Sequence, residues 1–215
     1  MTHAIDLIVF DLDGTLVDSL PDIAAAGNYA LGRLGLQEQS LMAHQKMIGA
    51  GEKNYVRRFL GPDHQDLFDR ALSLYLEYYS RHLGDQSRVY PGVTETLTRL
   101  SPLKKAVLSN KREDLCRQVI KVMGLSDFFK EVRGGDSYGV LKPSPEGLSA
   151  LIKELGGDPG RTFMVGDKPE DMLTGRGAGA HTVALTCGYG DPEAVAALAP
   201  DFTFNSFSQL AELFS

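Results

Sequence analysis

The stretch Phe10-Asp11-Leu12-Asp13-Gly14-Thr15-Leu16-Val17-Asp18-Ser19 follows directly on the apolar run Ile5-Asp6-Leu7-Ile8-Val9. A short aliphatic run of this kind reads as a buried parallel strand, and the Gly-Thr turn leaves two carboxylates at its end. Residues two apart on a strand point to one side, so Asp11 and Asp13 can address a single ligand. In an open α/β sheet, ligands bind outside the carboxyl ends of the strands, which is where these acids fall. Two carboxylates so close repel each other unless a cation or a shared proton separates them. The pair therefore implies a metal or an acid/base division of labour, with a solvated Asp-rich turn as the alternative.

Downstream, helical and extended patterns alternate. Helix-like Pro91–Leu100 precedes the strand Lys104–Ser109, and helix-like Arg112–Met123 precedes a weaker strand, Phe129–Arg133. Helix Pro145–Leu155, strand Arg161–Val165, helix Pro169–Ala178 and strand Thr182–Leu185 continue the pattern. Helix Pro192–Leu198, strand Phe202–Phe204 and helix Phe207–Phe214 end it. Such alternation predicts an α/β fold, a Rossmann-like parallel sheet with helices on both faces. Residues 18–87 break the rule with helical periodicity alone: Ile23–Leu34, Leu41–Ile48, Glu52–Leu60 and His64–Leu83. This block reads as an inserted α-helical cap, so residues 1–17 and 88–215 would form the core and 18–87 the cap. Val17–Pro21 and Gly84–Pro91 would be the hinges.

Composition narrows the partners. With 22 basic and 28 acidic residues the formal net charge is −6, so nothing suggests a nucleic-acid stripe. An anionic substrate must then meet a local positive cluster. No apolar run approaches the ~20 residues of a membrane helix. The N-terminus lacks a basic flank and a cleavage site, so the expected setting is cytoplasmic. Cys116 and Cys187, the only cysteines, are expected to be reduced thiols.

Three further strand ends carry polar residues. Ser109-Asn110-Lys111 lies where a strand yields to a helix, either a plain cap or an anion site. Lys142 precedes Pro143 in a loop, and a lysine's point charge suits a phosphoryl oxygen. Val165-Gly166-Asp167-Lys168-Pro169-Glu170-Asp171 ends a strand in Gly-Asp and opens a helix, from which Asp171 can turn back toward Asp167.

Together these segments resemble the haloacid dehalogenase-like superfamily. Asp11, Asp13 and Thr15 match its first motif, Ser109 its second, Lys142 its third, and Gly166, Asp167 and Asp171 its fourth. The helical insert lies where a C1-type cap is found. Within the family the opening through Pro21-Asp22-Ile23, the loop Ile48-Gly49-Ala50-Gly51 and the segment Tyr90-Pro91-Gly92-Val93 look like phosphoglycolate phosphatases. Lys168 departs from the pattern, because Gly-Asp-Ser is common there.

The resemblance implies hydrolysis of a small phosphorylated metabolite, 2-phosphoglycolate above others, through an aspartyl-phosphate. Asp11 would be the nucleophile, Asp13 the acid and then the base, and Lys142 the third catalytic residue. Thr15, Ser109, Asn110 and Lys142 would bind substrate. Mg²⁺ would be held by Asp11, the backbone carbonyl of Asp13, Asp167 and, directly or indirectly, Asp171. Lys111 would be solvated, as would Arg57, and Gly49–Lys53 would be the cap loop entering the site. Tyr75, Tyr78 and Tyr79 would pack the cap or a self-association face, leaving monomer and homodimer both open. His3, His44, His64, His82 and His181 show no ligand spacing. Dehalogenases and phosphonatases lack an acid at the Asp13 position. A β-phosphoglucomutase-like transferase and a non-catalytic binding regulator are the remaining alternatives.

Overall fold

Leu7, Ile8, Val9 and Phe10 are each 0% exposed, which requires neighbours on both edges of a strand and layers on both of its faces. The computed structural model, which describes residues 5–213, places this strand, β1 (Leu7–Phe10), inside a sheet. A two-residue strand β2 (Val17–Asp18) leads into α1 (Leu20–Arg33), α2 (Leu41–Met47), α3 (Glu52–Leu60) and α4 (Phe68–Arg81). A second short strand, β3 (Arg88–Val89), closes this helical block. Then follow α5 (Val93–Arg99), β4 (Lys104–Leu108), α6 (Glu113–Val122), β5 (Glu131–Arg133) and α7 (Glu146–Glu154). The chain ends with β6 (Thr162–Gly166), α8 (Pro169–Gly177), β7 (His181–Leu185), α9 (Pro192–Ala196), β8 (Phe202–Phe204) and α10 (Phe207–Leu213). The six-stranded sheet has the order β5-β4-β1-β6-β7-β8 and is parallel throughout. This is the α/β sheet that the alternation predicts. His3 and Phe214 lie outside the described residues.

The two-residue period of β1 sorts its side chains between layers. Ile8 and Phe10 join Val93, Leu97, Ile120 and Phe207, so α5, α6 and α10 cover one face. Leu7 and Val9 join Leu148, Leu151 and Ile152 of α7 on the other. A separate apolar cluster holds the helical block together: Ile23 and Ala26 of α1, Tyr55 and Phe59 of α3, Tyr75 and Tyr79 of α4. Leu115 of α6 also belongs to it, so the block packs directly on the sheet domain's helices. Tyr75 and Tyr79 pack as the helical spacing predicts, while Tyr78 stacks on Tyr29 at 4.5 Å. Cys116 is buried and both cysteines are free. No helix among the described residues is long and apolar enough to cross a membrane.

Two expectations need correction. The helix predicted over His64–Leu83 begins only at Phe68, because Pro62–Leu67 forms a tighter 3₁₀ turn with His64 out of helical geometry. Gln65 Nε2 donates to the Arg57 and Gly61 carbonyls, a local bond that competes with helix formation. The two segments expected as plain hinges instead pair with each other. β2 and β3 run antiparallel, with Val17 opposite Val89 and Asp18 opposite Arg88. Strands of two residues carry no periodicity that could announce them.

Asp22 of α1 reinforces this junction. Its carboxylate is buried and accepts from Gly84 N, Gln86 N, Ser87 N and Ser87 Oγ at 3.0, 2.9, 2.9 and 2.5 Å. Removing the acceptor leaves several donors unmatched, each costing about 1–3 kcal/mol where water cannot reach. Asp22→Ala is expected to lower unfolding stability by about 2 kcal/mol or more, read from urea denaturation. A loss below about 0.5 kcal/mol would contradict that role.

Candidate active site

The parallel sheet delivers its polar strand ends to one edge. Asp11 follows the last residue of β1, and its N–H donates to the Val165 carbonyl of β6 at 2.9 Å, continuing the ladder one step. Ser109 follows β4, Asp167 follows β6, and Asp171 sits in the first turn of α8. Lys142 comes from the loop before α7, where Asn110 Oδ1 accepts its N–H at 2.7 Å.

These residues meet in a buried cluster. Carboxylate oxygens of Asp11, Asp167 and Asp171 lie within 4.8 Å of one another. Lys142 Nζ bridges Asp11 Oδ1 at 2.9 Å and Asp171 Oδ1 at 2.6 Å. Burial alone would lower the Lys142 pKa, but the two carboxylates hold it well above the usual lysine range. One ammonium does not neutralise three buried acids. Burial accordingly pushes Asp167 up to about 6 and raises Asp171 as well. Asp11 Oδ1 is buried and, although paired with Lys142, has no aligned hydrogen bond.

The neighbours of each acid fix its orientation. Thr15 Oγ1 donates to Asp167 Oδ1 at 2.9 Å, and Tyr189 N and Gly190 N donate to Oδ2 at 2.8 and 3.1 Å. Asp171 Oδ2 accepts from Lys168 N at 3.1 Å, so both of its oxygens are occupied. Gly166 is required for this approach: a Cβ there would fall into the Asp171 carboxyl group. Asp13 stands apart from the acid cluster, its Oδ1 taking Ser19 Oγ at 2.5 Å and Lys111 Nζ at 2.6 Å.

The helical block roofs the site. A cavity of about 40 Å³ lies between the strand ends and α3, lined by Asp11, Asp13, Glu52, Ser109, Lys111 and Lys168 among others. The loop 49–53 borders it: Asn110 Nδ2 donates to Gly49 O at 2.9 Å, and Lys168 Nζ donates to Ile48 O at 3.1 Å. Glu52, which burial drives to a higher pKa, accepts the Arg112 N–H at 3.1 Å.

One expectation changes here. Lys111 is not solvated; its side chain is 4% exposed, ion-paired with Asp13 and bonded to Tyr79 Oη at 2.8 Å. Burial by itself would lower its pKa, but Asp13 holds it well above the usual value. Thr15, expected to bind substrate, gives its hydroxyl to Asp167 and does not line the cavity. Asn110, also expected to bind substrate, lines the cavity, and its amide bonds Gly49 O, Lys142 O and Lys142 N, joining three loops. Arg57 is on an exposed face, over the ring of Phe68. His44 bonds Asn28 and Tyr55 inside the helical block.

Ser19, Tyr79 and Tyr189 were not marked as site residues in the sequence. Tyr79 reads as apolar packing because its ring is buried, yet its hydroxyl ends at Lys111. Tyr189 contributes a backbone donor, which no side-chain motif can signal.

Comparison with known proteins agrees with this geometry. The family model for haloacid dehalogenase-like hydrolases matches residues 8–185. A phosphoglycolate phosphatase of Neisseria meningitidis is 35% identical, covering 97% of this chain and 93% of its own. One from Vibrio vulnificus is 34% identical, with coverages of 97% and 96%. Among solved structures, a predicted phosphoglycolate phosphatase from Haemophilus somnus superimposes with a TM-score of 0.92 at 31% identity, covering 99% of both chains. The chain belongs to the haloacid dehalogenase-like hydrolase family.

Proposed function

We propose that this phosphatase hydrolyses 2-phosphoglycolate to glycolate and phosphate with Asp11 as the nucleophile. The observation that carries the proposal is the position of Asp11: a buried carboxylate beside Lys142, bordering a cavity of about 40 Å³. The names of the relatives support the same substrate.

An Asp11 carboxylate oxygen attacks phosphorus, and the bond from phosphorus to the leaving oxygen breaks. Asp13 gives that oxygen its proton. Ser19 and Lys111 both engage Asp13 Oδ1, which leaves Oδ2 for proton exchange. In the second step water attacks phosphorus, Asp13 takes the water's proton, and the Asp11 carboxylate is regenerated. Ser109 and Lys142 hold phosphoryl oxygens, while Thr15 and Asn110 orient Asp167 and the Lys142 loop. Residues 1–17 and 88–215 act as the core and 18–87 as the cap that excludes water. A cytoplasmic setting belongs to the same proposal, supported by two unpaired thiols.

The donor set fits Mg²⁺, a hard cation that takes oxygen ligands. Three buried carboxylates carry more negative charge than Lys142 balances, and Asp11 Oδ1 lacks an aligned hydrogen bond. Asp11, the Asp13 carbonyl and Asp167 would hold the ion, with Asp171 fixing Lys142 beside it. Bound there, Mg²⁺ supplies charge neutralisation for the phosphoryl group.

Because folding raises the Asp167 and Asp171 pKa values, to about 6 and about 7, the folded chain binds more protons than the unfolded chain from about pH 4 to about pH 7. Metal-free stability therefore falls as pH rises through that window. A divalent ion competes with those protons, so calorimetry should find that Mg²⁺ raises the melting temperature more at pH 7.5 than at pH 5. An equal effect at both pH values would count against the acid cluster as the metal site.

Turnover should stop on chelation and return with Mg²⁺. Among phosphorylated metabolites, 2-phosphoglycolate should exceed glucose 6-phosphate in kcat/KM by about tenfold or more. A reversed ranking would retire the substrate assignment.

A further inference from the structure

Three lysines bring their ammonium groups to the cavity and the acid cluster, and one of them makes no direct ion pair among the described residues. Lys142 is ion-paired with Asp11 and Asp171, and Lys111 with Asp13. Lys168 is 9% exposed, lines the cavity, and forms no ion pair among the described residues. Its Nζ donates to Ile48 O at 3.1 Å and lies 5.9 Å from the centre of the Tyr189 ring. An ammonium has three donors, and the Ile48 carbonyl takes one of them.

The backbone around it keeps that head group open. Gly49 has φ +114, and a Cβ at this position would come within 2.5 Å of Lys168 Nζ. A glycine at 49 thus serves both the turn and the room for the ammonium.

We propose that the Lys168 ammonium binds the substrate's carboxylate and so selects short phosphorylated acids over uncharged phosphate esters. This rests on the substrate reading given above. Asp11, Ser109 and Lys142 occupy the phosphoryl end of the site, so the organic portion extends toward the loop 48–51, where Lys168 Nζ stands. A carboxylate there meets a cavity-lining ammonium that is in no direct ion pair among the described residues and has one hydrogen bond, to Ile48 O. The bond to Ile48 O holds the ammonium in place before substrate arrives.

The test compares kcat/KM for 2-phosphoglycolate with that for ethyl phosphate, which has the same carbon count and no carboxylate. The wild-type enzyme should prefer 2-phosphoglycolate. In Lys168→Ser that preference should collapse by about 30-fold or more, chiefly through KM, as expected for loss of a buried charge contact. Lys168→Arg, which keeps the charge, should retain the preference within about tenfold. A Ser variant whose preference stays within about threefold of wild type would overturn the inference and leave the phosphoglycolate assignment standing. A wild-type enzyme with no preference for the carboxylate-bearing ester would overturn both.

Discussion

Like charges brought together out of water set the terms for this fold. Asp11, Asp167 and Asp171 are buried with oxygens within 4.8 Å, and among the described residues only Lys142 is ion-paired with them. Such a cluster is unfavourable in itself, since burial penalises each charged carboxylate and their mutual repulsion adds to that. It persists because the parallel sheet overdetermines it. Two acids extend from adjacent strand ends, and the third turns back from the helix that follows one of those strands. Thr15, Tyr189 and the first turn of α8 then fix which oxygen faces which partner.

The helical block completes the site by contacts made from the same loops. Asn110 holds Gly49, Lys168 holds Ile48, Lys111 reaches Tyr79, and Glu52 takes the Arg112 N–H. Each core partner in these contacts lies within three residues of Ser109 or Asp167. The helical block is therefore tied to the residues around the acid cluster rather than to a remote surface. The same contacts therefore roof the cavity and hold the loops that carry the site residues.

Much of this was legible in the residues. Apolar runs ending in Asp11, Ser109 and Asp167 mark strand ends, and parallel topology sends strand ends to one edge, so the acid cluster follows from order and spacing. The pairing of β2 with β3 was not legible, because two-residue strands have no period. Lys111 was misjudged because a charged residue at a helix start is usually solvated; its burial depends on Asp13 and Tyr79, 98 and 32 residues away in the chain. Thr15 and Asn110 carry the right donors for a substrate, yet tertiary contacts give those donors to Asp167 and to two loops. Local motifs thus name the chemistry, while the division between reacting and orienting groups comes from packing.

The central claim is that Asp11 itself becomes phosphorylated. Rapid acid quench of the Mg²⁺-loaded enzyme during turnover, followed by borohydride reduction, converts an acyl phosphate of aspartate to homoserine. Peptide mass spectrometry should then find homoserine at position 11. Aspartate remaining at that position while phosphate is released, or homoserine at a different carboxylate, would contradict the account.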